Sequence, residues 1–140
     1  MAAFVFSLLL SLVPAIPPDG SGLASRYADT AADEGGTPAC ARRIKDPSVY
    51  RHRCAHRDLP CGTVLLLRTA TRWGWCVRLD AGPWGAIGPH GERANPARLR
   101  KGWKRRGVLD LSPVPANGLG LKDGRVMVDY WILSTPRPRH

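Results

Sequence analysis

At 140 residues with a formal net charge of +10, the chain has room for one hydrophobic core and not for two, and its field attracts polyanions. A hydrophobic content of 44% excludes wholesale disorder, while 15 glycines and 13 prolines disfavour a helical bundle and suit short strands joined by tight turns. The class expected is all-β.

Residues 1–16 form an uncharged apolar run, short for a bilayer span and proportioned like the core of a secretory signal, with Val13-Pro14-Ala15 supplying small residues for cleavage. An uncleaved anchor, or a segment packed on a partner, is the alternative. Residues 17–22 (Pro-Pro-Asp-Gly-Ser-Gly) resist helix and strand alike and read as a linker, which places the folded domain at 23–133 and a tail at 134–140. Residues 28–38 are small, acidic and glycine-rich, and read as a loop leading to Cys40.

Four cysteines, Cys40, Cys54, Cys61 and Cys76, form an even set behind an apparent export signal, the pattern of two disulfides in an oxidising compartment. Spacing leaves three connectivities open; the favoured one joins Cys61 with Cys76, which flank what reads as one hairpin, and Cys40 with Cys54. A zinc site drawn from His52, Cys54, His56 and Cys61 competes for the same residues, but the chain lacks a close Cys-x-x-Cys pair.

Val64-Leu65-Leu66-Leu67-Arg68 and Cys76-Val77-Arg78-Leu79 are short apolar runs joined by residues 69–75, which predicts a β-hairpin. Arg78-Leu79-Asp80-Ala81-Gly82-Pro83-Trp84-Gly85 then sets one carboxylate where an apolar strand breaks into a Gly-Pro turn. Asp80 is therefore the leading candidate acid, against the plainer role of accepting turn amides. From Trp84 to Gly107 the chain is basic and aromatic, with Arg93, Arg98, Arg100, Lys101, Lys104, Arg105 and Arg106 around Trp103, a composition able to neutralise phosphates or uronates and to stack on a sugar or base. A solvated surface insertion is the plainer reading. Val108-Leu109-Asp110-Leu111 predicts a strand, Ser112 with Pro113 predicts the start of a short helix, and residues 126–133, β-branched and aromatic, predict a long central strand.

Four separated segments stand in one order: Gly22-Leu23-Ala24-Ser25-Arg26-Tyr27, Ala55-His56-Arg57-Asp58-Leu59-Pro60-Cys61-Gly62-Thr63, Asp80-Ala81-Gly82-Pro83, and Leu109-Asp110-Leu111-Ser112. Together they resemble the rare lipoprotein A (RlpA)-like family, related to expansins and barwin, over about residues 22 to 133. The resemblance implies a six-stranded double-psi β-barrel with one or two short helices, here carrying a long basic loop insertion at 84–107. It implies an open groove for peptidoglycan strands, lined by His56 and Asp80 as catalytic candidates. Trp84, Asp110, Tyr27, Trp103 and Arg78 are the expected substrate-binding residues, with Asp110 serving either contact or structure.

The chain departs from the family pattern in three places. The acid that active members carry upstream of the histidine has no counterpart in Thr37-Pro38-Ala39-Cys40-Ala41-Arg42, so that Asp33, Glu34 or Asp46 would have to replace it; Ala81 stands for an arginine, and Arg26 for a tryptophan. A lytic transglycosylase can work with a single carboxylate, because the substrate's own hydroxyl is the nucleophile, and Asp80 would be that acid and base with His56 assisting. The chemistry calls for no cofactor and no metal. Trp73 and Trp75 would stack on sugars or pair across strands. Expected partners are peptidoglycan glycan strands and anionic wall polymers, ahead of nucleic acid, with membrane contact only through the N-terminal segment. The expected setting is secreted, periplasmic or wall-bound. The rivals are a non-catalytic wall-binding module and a phage tail or virion structural protein.

Overall fold

The computed structural model describes residues 16–26, 46–96 and 98–136. The expected apolar leader up to residue 15, Tyr27, the loop at 28–38 with Asp33 and Glu34, Cys40, and the last four residues of the tail lie outside the described residues. Nine strands and two short helices are present among those described: β1 (Gly20–Arg26), α1 (Pro47–Arg51), β2 (Arg53–Ala55), β3 (Val64–Arg68), β4 (Trp73–Asp80), β5 (Ala86–Ile87), β6 (Arg93–Ala94), β7 (Lys104–Arg105), β8 (Leu109–Leu111), α2 (Pro113–Gly118) and β9 (Arg125–Ser134). None of the described helices is long and apolar enough to cross a membrane.

Six strands close into a barrel in the order β1-β8-β2-β4-β3-β9. Closure removes the exposed strand edges that an open sheet of this size would have to protect. Two neighbouring pairs, β1 with β8 and β2 with β4, run parallel, and the others antiparallel. The all-β class expected from composition, and the six-stranded barrel implied by the resemblance, are therefore the observed fold.

Side-chain alternation sorts the strands into an inside and an outside. Ala24, Cys54, Leu65, Leu67, Cys76, Leu109, Leu111, Val128 and Tyr130 fill the interior, joined by Ala116 of α2 and Leu119 at its C-cap. Each fully buried leucine of this set stabilises the fold by about 1.5–3 kcal/mol through removal from water. Outside the barrel, Val77 and Leu79 carry α1 through Val49 and Tyr50, and Leu66 packs with Trp131 and Trp73.

Several sequence expectations need correction. The hairpin turn is tighter than residues 69–75: Thr69 N donates to Arg72 O at 2.9 Å, Arg72 N returns to Thr69 Oγ1 at 3.0 Å, and Trp73 already belongs to β4. β1 starts at Gly20, inside the expected linker, because Asp19 Oδ2 accepts from Ile132 N (2.6 Å) and ties the approach to β9. Ser112 precedes α2, but its hydroxyl donates to Arg51 O (2.9 Å) instead of capping the helix. The basic insertion is not a simple loop. It folds as a three-stranded sheet in the order β6-β5-β7.

The disulfide expectation is overturned as well. Cys54 is bonded to Cys76, with Cα atoms 5.8 Å apart on the parallel neighbours β2 and β4. Both point into the barrel, whereas Cys61 lies against Val77 and Leu79 on the opposite face of β4, so the pleat of that strand separates Cys61 from Cys76. Cys61 is itself disulfide-bonded, to a partner outside the described residues. With both thiols oxidised, the zinc alternative at His52, Cys54, His56 and Cys61 loses its sulfur ligands, and no group of three potential metal ligands occurs among the described residues.

Candidate functional site

Strand direction brings the two leading candidates to one end of the barrel. The parallel strands β2 and β4 finish together, and a register shift sets Ala55 opposite Asp80. The next residue, His56, donates its backbone N–H to Asp80 O at 3.1 Å. β1 and β8 begin at this end, and β9 passes it at Tyr130, the partner of Gly20. Beyond Asp80 the chain turns at Gly82, whose φ of 120° lies in the region that favours glycine.

His56 is 7% exposed, and both of its ring nitrogens are used inside the protein. Nδ1 accepts from Asp58 N (3.1 Å) and Leu59 N (3.2 Å), which leaves the neutral ring its proton on Nε2. Nε2 then donates to Tyr130 Oη at 3.1 Å, with the two rings edge-on at 80°. Burial pushes the imidazole below its ordinary pKa; Arg57 and Arg78 push the same way, and Asp58 opposes them. Burial raises the Tyr130 phenol, helped by Asp19 and Asp58 and opposed by Arg57. At neutral pH the pair is uncharged. Because Tyr130 Oη accepts from His56, its own proton is directed away from the imidazole, so the phenol is the outward donor of the pair. Held at both nitrogens, the imidazole fixes the orientation of the Tyr130 hydroxyl.

The other sequence candidates separate by location. Asp80 is half-buried at the barrel mouth, within the reach of the His56 main chain. Arg78 is not a surface ligand contact: at 7% exposure its Nε donates to His56 O (3.0 Å) and its Nη1 to Cys61 Sγ (2.8 Å), clasping the 56–62 loop. Asp110 faces away from the interior that Leu109 and Leu111 fill, and accepts from Ser25 Oγ at 3.0 Å, which makes it a strut between β1 and β8. Asp46 caps α1 through Ser48 N (2.9 Å) and Ser48 Oγ (2.8 Å) and does not replace the upstream acid. Trp84 is exposed near Gly82, under the Arg105 guanidinium at 5.3 Å. Trp103 lies on the insertion against Gly88, with Arg100 over its ring at 5.7 Å. Of the tryptophans on β4, Trp75 stacks on His52 at 3.9 Å and Trp73 packs with Trp131.

Four residues of this region escaped the sequence reading: Tyr130, Arg57, Asp58 and Asp19. Arg57 Nη1 donates to Pro83 O (2.7 Å) and Gly107 O (2.9 Å), one contact at each foot of the insertion, so a single guanidinium fixes the lobe beside the mouth. Tyr130 had a usable signal, since the alternation Val126, Val128, Tyr130, Ile132 against Met127, Asp129, Trp131 puts its ring inside. Comparison with protein-family models and with curated proteins finds no match to this chain.

Proposed function

We propose that the barrel mouth engages peptidoglycan glycan strands and that Asp80 is the acid and base of a lytic transglycosylase reaction there. One observation supports this reading: β2 and β4 end together, so the His56–Tyr130 pair and residue Asp80 share one end of the barrel. An uncharged phenol donor suits sugar hydroxyls, and a single carboxyl suffices for this chemistry. Asp80 protonates the glycosidic oxygen as the C1–O bond breaks, and its carboxylate takes the proton of the muramyl C6 hydroxyl as that oxygen bonds to C1. The products are a shortened strand and a 1,6-anhydro end, with no water consumed. The Cys54–Cys76 disulfide supports an oxidising, extracytoplasmic setting.

The test is digestion of purified glycan stripped of stem peptides. Wild type is expected to release anhydro-ended fragments, and Asp80→Asn none, with binding retained. A second reading, wall binding without cleavage, is favoured by the engagement of both His56 nitrogens within the protein, which removes the imidazole from proton transfer. Co-sedimentation with the glycan without any anhydro product from wild type decides for it.

A further inference from the structure

We propose that the insertion lobe is a second binding site, for a flexible polyol-phosphate chain, separate from the barrel mouth and independent of glycan cleavage. Residues 84–107 hold seven of the chain's arginines and lysines against one carboxylate, Glu92, which accepts from His90 N (3.2 Å) within its own turn. The register of the lobe arranges these charges. Ile87 is the partner of Arg93 on one side and of Lys104 on the other, so two cations flank one exposed apolar side chain on the outer face. Across three strands they stand on the order of 10 Å apart. Arg98, Arg100 and Lys101, all exposed, extend the same charge along the connection from β6 to β7.

Like charges gathered on one small sheet repel, which costs the isolated lobe stability that an anion spanning them restores. The phosphodiester, not a base, is the recognised group. Single-strand nucleic-acid sites combine cations with free aromatic faces, whereas Trp84 and Trp103 each already carry a guanidinium of the lobe, and the Arg93–Ile87–Lys104 face has no aromatic ring.

The test uses the full chain and labelled poly(glycerol phosphate), with binding followed by anisotropy between about 50 and 200 mM salt. Arg93→Ser with Lys104→Ser is expected to weaken binding about tenfold at low salt and to flatten the log–log salt slope by about 1.4, the share of two phosphate contacts on a flexible chain. Lys122→Ser with Arg125→Ser removes the same charge from exposed positions at the opposite end of the barrel, and is expected to change affinity less than about threefold. Equal losses in the two doubles would reduce the effect to net charge and overturn the site. So would an unaffected lobe double, or tighter binding of a single-stranded oligonucleotide of equal phosphate count. Should the first pair fail to fold by circular dichroism, Arg98→Ser with Lys101→Ser takes its place with the same expectation.

Discussion

Tyr130→Phe isolates one hydrogen bond at the centre of the mouth. The substitution keeps the ring that fills the barrel beside Leu67 and Val128 and removes only Oη, so no cavity opens in the hydrocarbon core. It leaves His56 Nε2–H, in a side chain 7% exposed, without its acceptor at 3.1 Å. An orphaned buried donor costs about 1–3 kcal/mol, which for a domain of roughly this size lowers Tm by about 3–10 °C. His56→Leu in the same background supplies the control. With the imidazole gone, the phenyl ring of the Tyr130→Phe variant orphans nothing, and the double variant is expected to be more stable than the sum of the single losses by about 1–2 kcal/mol. Urea and thermal unfolding followed by near-ultraviolet circular dichroism measure all four corners. A Tyr130→Phe loss below about 0.5 kcal/mol together with an additive cycle would refute the reasoning, because the hydroxyl would then not be holding the imidazole.

The lowered pKa of His56 sets a pH dependence. The unfolded chain binds a proton at this imidazole more readily than the native fold does, so the stabilisation is whole above about pH 6.5 and is lost as pH falls toward the lower native value. Unfolding free energies at stepped pH should decline through that window, and His56→Gln should flatten the decline. Cys54→Ser with Cys76→Ser opens a link of sequence separation 22 and is expected to cost about 3 kcal/mol on the loop-entropy model. Non-reducing peptide mapping should find residues 54 and 76 in one linked pair, and a 61–76 pair would contradict the inside–outside assignment. Arg57→Ala frees both feet of the insertion, so limited proteolysis should cut within 84–107 several-fold faster while the barrel remains protected.

Much of the barrel was legible because its strands obey a period of two, and runs such as residues 64–68 and 126–133 announce themselves by β-branched and aliphatic content. What escaped depends on contacts between distant segments. Gly20 reads as linker from its neighbours, yet a side chain there would overlap the end of the Tyr130 ring, so the residue belongs to β1 for a reason located 110 positions away. Cysteine pairing hinged on which face of β4 each sulfur meets, and spacing carries no face information across a bulge. α1 was missed although Asp46-Pro47 is a recognisable helix start, an N-cap followed by proline. The motif singles out Asp80 and His56, and the structure sets the two residues at one end of the barrel. The engagement of both His56 nitrogens was not legible, because the two amides that occupy Nδ1 belong to the loop geometry that follows it.

The barrel mouth and the insertion lobe rely on different physical terms, and Arg57 joins them. Around Tyr130 the interacting groups are a neutral imidazole and a protonated phenol, whose hydrogen bonds depend on geometry and desolvation and respond little to salt. On the lobe the exposed cations act through a field that salt screens within about 8 Å at physiological strength. One guanidinium, held by carbonyls at both feet of the lobe, fixes the two surfaces at a set separation on one chain. Under the two binding roles proposed above, a ligand carrying both sugar and phosphodiester would meet the second surface at a raised effective concentration once the first is engaged. On those proposals, raising salt is expected to remove the lobe's share and leave the mouth's intrinsic affinity, so that one titration separates the two contributions without any substitution.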